Sequence, residues 1–102
     1  MKTLNDDSEF YEALQKQFPP AEWPLSLQAL WYAANKNWKA SHEIAQDLNT
    51  VIGSWIHAHL HRVEGDAYNA GYWYSRAKRP FAKNDFDEEL HEILNYAIQV
   101  SY

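Results

Sequence analysis

His57, His61 and Glu64 stand in the pattern H-x-x-x-H-x-x-E, which on a helix gathers all three on one face. With His57 at zero and about 100° per residue, His61 falls near 40° and Glu64 near −20°. Imidazoles four residues apart converge on one ion, and a carboxylate one turn later completes a set suited to Zn²⁺, Ni²⁺ or Fe²⁺. His42, followed by Glu43, lies one helical segment earlier and adds a further ligand. The H-E-x-x-H form, which brings its own general base, does not occur. The same wheel carries a packing alternative. Ile56, Leu60 and Val63 fill the arc from about −60° to −120°, so His57, Ala58 and His61 read first as core residues packed against the next helix. There they would be satisfied by hydroxyls such as those of Tyr72 or Tyr74, or by backbone carbonyls.

The opposite arc of that helix, from about 140° to 200°, holds Trp55, His59 and Arg62. Trp and Arg are the residue types that dominate binding hot spots. Trp23, Leu30 and Ala34 occupy the matching arc of an earlier helix and would extend the surface into an apolar groove. The alternative tucks Trp55 under the last helix and pairs Arg62 with a surface carboxylate. Arg76, Lys78 and Arg79 read as cations offsetting a helix C-terminus rather than as an anion site. Tyr72, Trp73 and Tyr74 are consecutive and cannot all face inward, so a ring reaches the surface and a homodimer contact is one use for it. The run "NDFDEEL", 84–90, reads as a capped, solvated helix start. No Ser-His-Asp arrangement, phosphate loop or paired-carboxylate motif points to catalysis.

Every periodic segment repeats at the helical period, so the expected class is all-α, about six helices joined as antiparallel hairpins in one domain, 1–102. An N-terminal capping helix over 6–18 opens at an Asp6/Glu9 capping box and carries Phe10, Leu14 and Phe18 until Pro19-Pro20 stops it. One hairpin spans 24–48 and a second 51–79, with Gly65 as terminator and Asp66 as the next cap. A C-terminal capping helix over 85–99 starts at Asp85/Glu88 and carries Leu90, Ile93, Leu94, Ala97 and Ile98. A chain of 102 residues supports such a core without metal or disulfide staples, and no cysteine is present. That excludes thiolate metal sites and a cysteine nucleophile. A formal charge of −5 argues against nucleic acid. The absence of a long apolar run argues against a membrane span. An acidic amino terminus without an apolar core leads to the expectation of a cytoplasmic protein.

The spacing Gly65-Asp66, Ala70, Tyr74, Ala77, Pro80 resembles the second half of a tetratricopeptide repeat, where small residues let two helices press together and an aromatic fills the gap. The same register puts Ala58 at the small position of the preceding helix and His61 at the aromatic one. A weaker copy lies 29 residues earlier, with Ala29, Tyr32, Trp38, Ser41, Ala45 and Leu48 in the equivalent places. The resemblance implies a right-handed array whose concave side, carrying Trp55, His59 and Arg62, holds a peptide or helix. The string "WIHAHLHRVEGDAYNAGYWYSRAKRP" also resembles the signature of a family of small, uncharacterised, mainly bacterial proteins of about this length. That resemblance covers roughly 27–80 and implies a fold without an activity. The leading functional expectation is therefore a non-catalytic protein-interaction module. The first alternative is a metal-binding protein or metal-dependent enzyme using His57, His61, Glu64 and His42, with a divalent ion as its one cofactor. A structural subunit or homodimer is the second.

Overall fold

The structure is a computed structural model, and it describes residues 7–101. Among them the chain is all-helical: α1 (Ser8–Ala13), α2 (Leu25–Ala34), α3 (Trp38–Ala45), α4 (Val51–Val63), α5 (Ala67–Arg76) and α6 (Phe86–Ser101). No helix of the described residues is long and apolar enough to cross a membrane.

Local chemistry explains most of the boundaries. The link from α2 to α3 and the link from α4 to α5 are built alike. A residue in the left-handed region follows each helix, Lys36 at φ 65° and Gly65 at φ 88°. The next N–H reaches back five residues, Asn37 to the Tyr32 carbonyl and Asp66 to the His61 carbonyl. That closure satisfies the carbonyls a helix end leaves over. Asn37 and Asp66 then cap the following helix, accepting from the N–H of Ala40 and of Asn69. Thr50 caps α4 through the N–H of Gly53. The expected Asp85/Glu88 capping box is reciprocal: Glu88 N–H donates to Asp85 and Asp85 N–H to Glu88.

The side chains that were expected to face inward explain how the helices stack. In each hairpin small residues on both helices are fully buried: Ala29 and Ser41 in the first, Ala58 and Ala70 in the second. The Ser41 hydroxyl donates to the Ala29 carbonyl at 2.7 Å, which satisfies a polar group that close packing has cut off from water. Helix α4 is the centre. From Ile52 to Leu60 every residue is buried, because α5, α6, α3 and α2 all pack on it. Leu27, Leu30, Ile56, Ile93 and Leu94 are fully enclosed, each contributing about 1.5–3 kcal/mol of apolar burial.

The N-terminal expectation needs correction. Helix α1 ends at Ala13, not near residue 18, and Phe18 is 65% exposed. The residue before a proline is pushed out of the helical region, and Phe18 precedes Pro19. The Ala13 carbonyl accepts both from the Lys16 N–H, in a tightened last turn, and from the Trp31 indole N–H at 2.8 Å. Phe10 does fulfil its role, stacked on Trp23 with centroids 5.8 Å apart. Asp6, half of the expected capping box, lies outside the described residues.

Candidate functional site

Two polar clusters occupy opposite faces of α4. The first contains His57 and His61, on the face toward α3 and α5. Helix α3 is pinned to α4 by the Trp38 indole N–H, which donates to the Leu60 carbonyl at 2.7 Å. One turn on from Trp38, His42 stacks on its ring at 4.6 Å and meets the two α4 histidines. Its centroid lies 4.5 Å from His57 and 5.4 Å from His61, and those two are 4.9 Å apart. On the far side the His57 ring lies flat on Trp73 of α5, with centroids 3.9 Å apart. One nitrogen from each of His42, His57 and His61 falls within 4.8 Å of the others.

The hydrogen bonding of this cluster is incomplete in an informative way. His61 Nδ1 is 2.6 Å from Glu64 Oε1, so the carboxylate fixes that ring. His57 is 5% exposed, and its Nδ1 is buried without a hydrogen-bond partner among the described residues. The expected tyrosine partners are engaged elsewhere: the Tyr72 hydroxyl accepts from Arg76, and the Tyr74 hydroxyl donates to Glu89. Burial, and then the neighbouring His42 and His61, push the His57 imidazole down to about 4. Burial and His61 likewise lower His42. His57 and His42 are thus biased toward the neutral form, with lone pairs available. Glu64 serves here as the partner of His61 rather than as a fourth member of the histidine set. A smaller grouping of His61, Glu64 and Asp66 also exists, but Asp66 is occupied by the backbone and side-chain N–H groups of Asn69.

The second cluster overturns the expected groove. Trp55, His59 and Arg62 do share a face, but α6 covers it and Glu89, fully buried, sits among them. Glu89 Oε1 is 2.7 Å from His59 Nδ1 and 2.9 Å from Arg62 Nη1. Glu89 Oε2 accepts from the Trp55 indole at 3.0 Å and from the Tyr74 hydroxyl. Arg62 also donates to the Asn84 carbonyl. Burial would raise this carboxyl, but hydrogen bonds from His59, Tyr74 and Trp55 outweigh it and hold it down at about 2. Tyr74 responds in the opposite sense, raised by burial and by its bond to the carboxylate.

Of the remaining groove residues Trp23 is 6% exposed and Leu30 fully buried, while Ala34 is half-buried beside a small cleft. Trp55 and Arg62, held under α6, therefore offer a peptide no open concave face. Nor do the basic residues form an anion patch: Arg79 lies 3.5 Å above the Trp55 ring and Arg76 stacks on Trp73 at 5.3 Å. Tyr72, 52% exposed, is the ring of its trio that reaches the surface.

Glu89 was missed because it sits in the acidic run expected to be solvated. One signal was present. On the α6 wheel Glu89 lies about 40° from Ile93, at the edge of the apolar stripe, as Glu88 does not, although the wheel does not separate Glu89 from Asp87.

No protein-family model matches the chain, and no curated protein or solved structure matches it.

Proposed function

We propose that this chain binds a divalent transition-metal ion, Zn²⁺ first, through His42, His57 and His61. The reading is carried by one nitrogen from each of His42, His57 and His61, on two helices, lying within 4.8 Å of the others, together with His57 Nδ1, buried and without a hydrogen-bond partner among the described residues. Buried polar atoms almost always have one, and a metal would supply it. Imidazole sets suit Zn, Cu, Ni and Fe, whereas Mg and Ca prefer oxygen. Zn–N bonds of about 2.0–2.1 Å put tetrahedral nitrogens about 3.3 Å apart, so separations of up to 4.8 Å must close by up to about 1.5 Å, a shift shared among the three rings. His61 would ligate through Nε2, since Nδ1 is turned to Glu64. A carboxylate behind a ligating imidazole orients the ring and raises its basicity.

Three protein ligands leave one position open, the arrangement in which a metal acts as a Lewis acid on water or on a carbonyl. His42 and His61 are only partly buried, which gives an ion a way in. The tetratricopeptide-like stacking of the two hairpins belongs to the same proposal, supported by their matched links and buried small residues. An interaction role would need a surface other than the α4 face that α6 covers.

The test is to purify the protein without a histidine tag, assay bound metals, and follow thermal unfolding with chelator and with Zn²⁺, Ni²⁺ or Fe²⁺. A ligand at about 100 times its dissociation constant adds roughly 2.7 kcal/mol, a shift of several degrees for a domain this size. Stoichiometric metal and that shift, both lost in His57→Ala and His42→Ala, are expected. No bound metal and no shift with any of the three ions would end the proposal.

A further inference from the structure

A cleft of about 230 Å³ opens between the end of α2, the middle of α4 and the start of α6. Its walls are mostly apolar, with Ala34, Leu60, Val63 and Leu90 beside the rings of Trp38 and Phe86. Lys36 and Asp87, of opposite charge, also line it, so the cleft presents no net field of either sign. The one buried polar side chain in the wall is His59, 4% exposed.

The orientation of that ring is set from behind. His59 Nδ1 faces Glu89 at 2.7 Å, and Arg62 holds the same carboxylate oxygen. A carboxylate can only accept, so Nδ1 presents a hydrogen to it, and the tautomer with that hydrogen has its lone pair on Nε2. No hydrogen bond reaches Nε2 among the described residues. An imidazole's two nitrogens point away from each other, so with Nδ1 turned to α6's carboxylate, Nε2 is left for the cleft that His59 lines. A mostly apolar pocket with one fixed polar group is the usual construction of a small-molecule site, although this one is smaller than the roughly 300–1,000 Å³ that drug-sized ligands need.

From this arrangement we infer that the cleft takes a single-ring aromatic molecule which donates one hydrogen bond to His59 Nε2, a phenol being the simplest of the class. The ring packs against Trp38 and Phe86, and the hydroxyl points at the imidazole. The aromatic preference follows from the two ring walls. The requirement for a donor follows from the tautomer that Glu89 enforces. The histidine cluster is a separate site, although it shares Trp38, whose ring stacks on His42.

The test titrates the full chain, with chelator present throughout, with phenol and with toluene, which has the same shape and no donor. Binding is read from backbone amide shifts at Ala33, Ala34, Val63 and Phe86. Phenol is expected to bind about five-fold more tightly than toluene, the span of one neutral hydrogen bond. Ala34→Phe, which fills the cleft without touching Glu89, should abolish both. In His59→Asn the shorter amide keeps a donor for Glu89 but removes the nitrogen facing the cleft, and the two probes should bind alike. Equal binding of phenol and toluene to the unsubstituted chain would overturn the inference, as would shifts confined to other surfaces or phenol binding that survives Ala34→Phe.

Discussion

His59 Nδ1 and Glu89 Oε1 meet 2.7 Å apart across the junction of α4 and α6, in a spot from which water is excluded. The contact does two things at once. It fastens the C-terminal helix over the face of α4 that would otherwise be a groove, and it selects the tautomer of His59. A buried carboxylate needs such partners, because a lone charge in the interior is far too costly. Glu89 has four: His59, Arg62, Trp55 and Tyr74.

Removing the carboxylate should therefore hurt more than its volume suggests. Glu89→Ala leaves Arg62 and three further donors unpaired, and breaking a buried ion pair in this way costs about 3–5 kcal/mol. Glu89→Gln keeps the shape and some of the acceptors, so its cost should be smaller. Urea unfolding of the two variants measures the order, and a Glu89→Ala protein as stable as the parent would show that the cluster is not needed.

Acid should attack the same contact. The Glu89 carboxyl is held at about 2 in the folded protein against an ordinary 4.5. A depressed folded value means the stabilisation is fully present above pH 4.5 and is lost as the pH falls toward 2. The shift corresponds to about 3 kcal/mol. Stability measured from pH 5 to pH 2 should drop steeply in the parent and less in Glu89→Gln, which has nothing to protonate there.

On the other face of α4, His57 should show its own acid window. Its folded value of about 4 lies below the ordinary 6.5, so its contribution is complete above pH 6.5 and disappears as the pH drops through 4. His57→Phe keeps a ring against Trp73 and removes the unpartnered nitrogen. In chelator it should unfold several degrees higher than the parent near neutral pH, about 1 kcal/mol. It should also lose the decline between pH 6.5 and 4, and any response to Zn²⁺. A lower melting temperature in chelator would mean that the nitrogen contributes to the metal-free fold.

Two helical glycines should respond in opposite directions to the same change. A methyl group on Gly53 would sit 2.3 Å from the Leu48 carbonyl oxygen, backbone that cannot swing aside, so Gly53 is what lets α4 begin so close to the end of α3. Gly53→Ala should cost about 1–3 kcal/mol. At Gly71 nothing lies within 4 Å of the added methyl. Gly71→Ala should stabilise by about 0.5–1 kcal/mol through helix propensity alone. Thermal melts of both compare them directly.

How far the sequence could be read depended on how local the cause was. Asp66 and the Asp85/Glu88 pair cap their helices as their spacing says, because a cap is decided within four residues. The stripes of α2 and α6 became core for the same reason: helical period is a property of one segment. The meeting of His57 and His61 was also legible, both lying on one helix face.

What tertiary structure alone decided is where separate helices bring their side chains together. The order of residues left two alternatives for Trp55 and Arg62, an open groove or a place under α6, and only offered His42 as a further ligand; it does not say that Tyr74 turns to Glu89 and leaves His57 Nδ1 without a partner among the described residues. Each of these depends on which of two apolar faces a neighbouring helix covers. An acid in a solvated run and an acid at the centre of a fold are the same residue until that helix has packed. Helix boundaries and faces therefore followed from the sequence itself, while the partners of its polar side chains, and so any chemistry they perform, followed from packing between helices far apart in the chain.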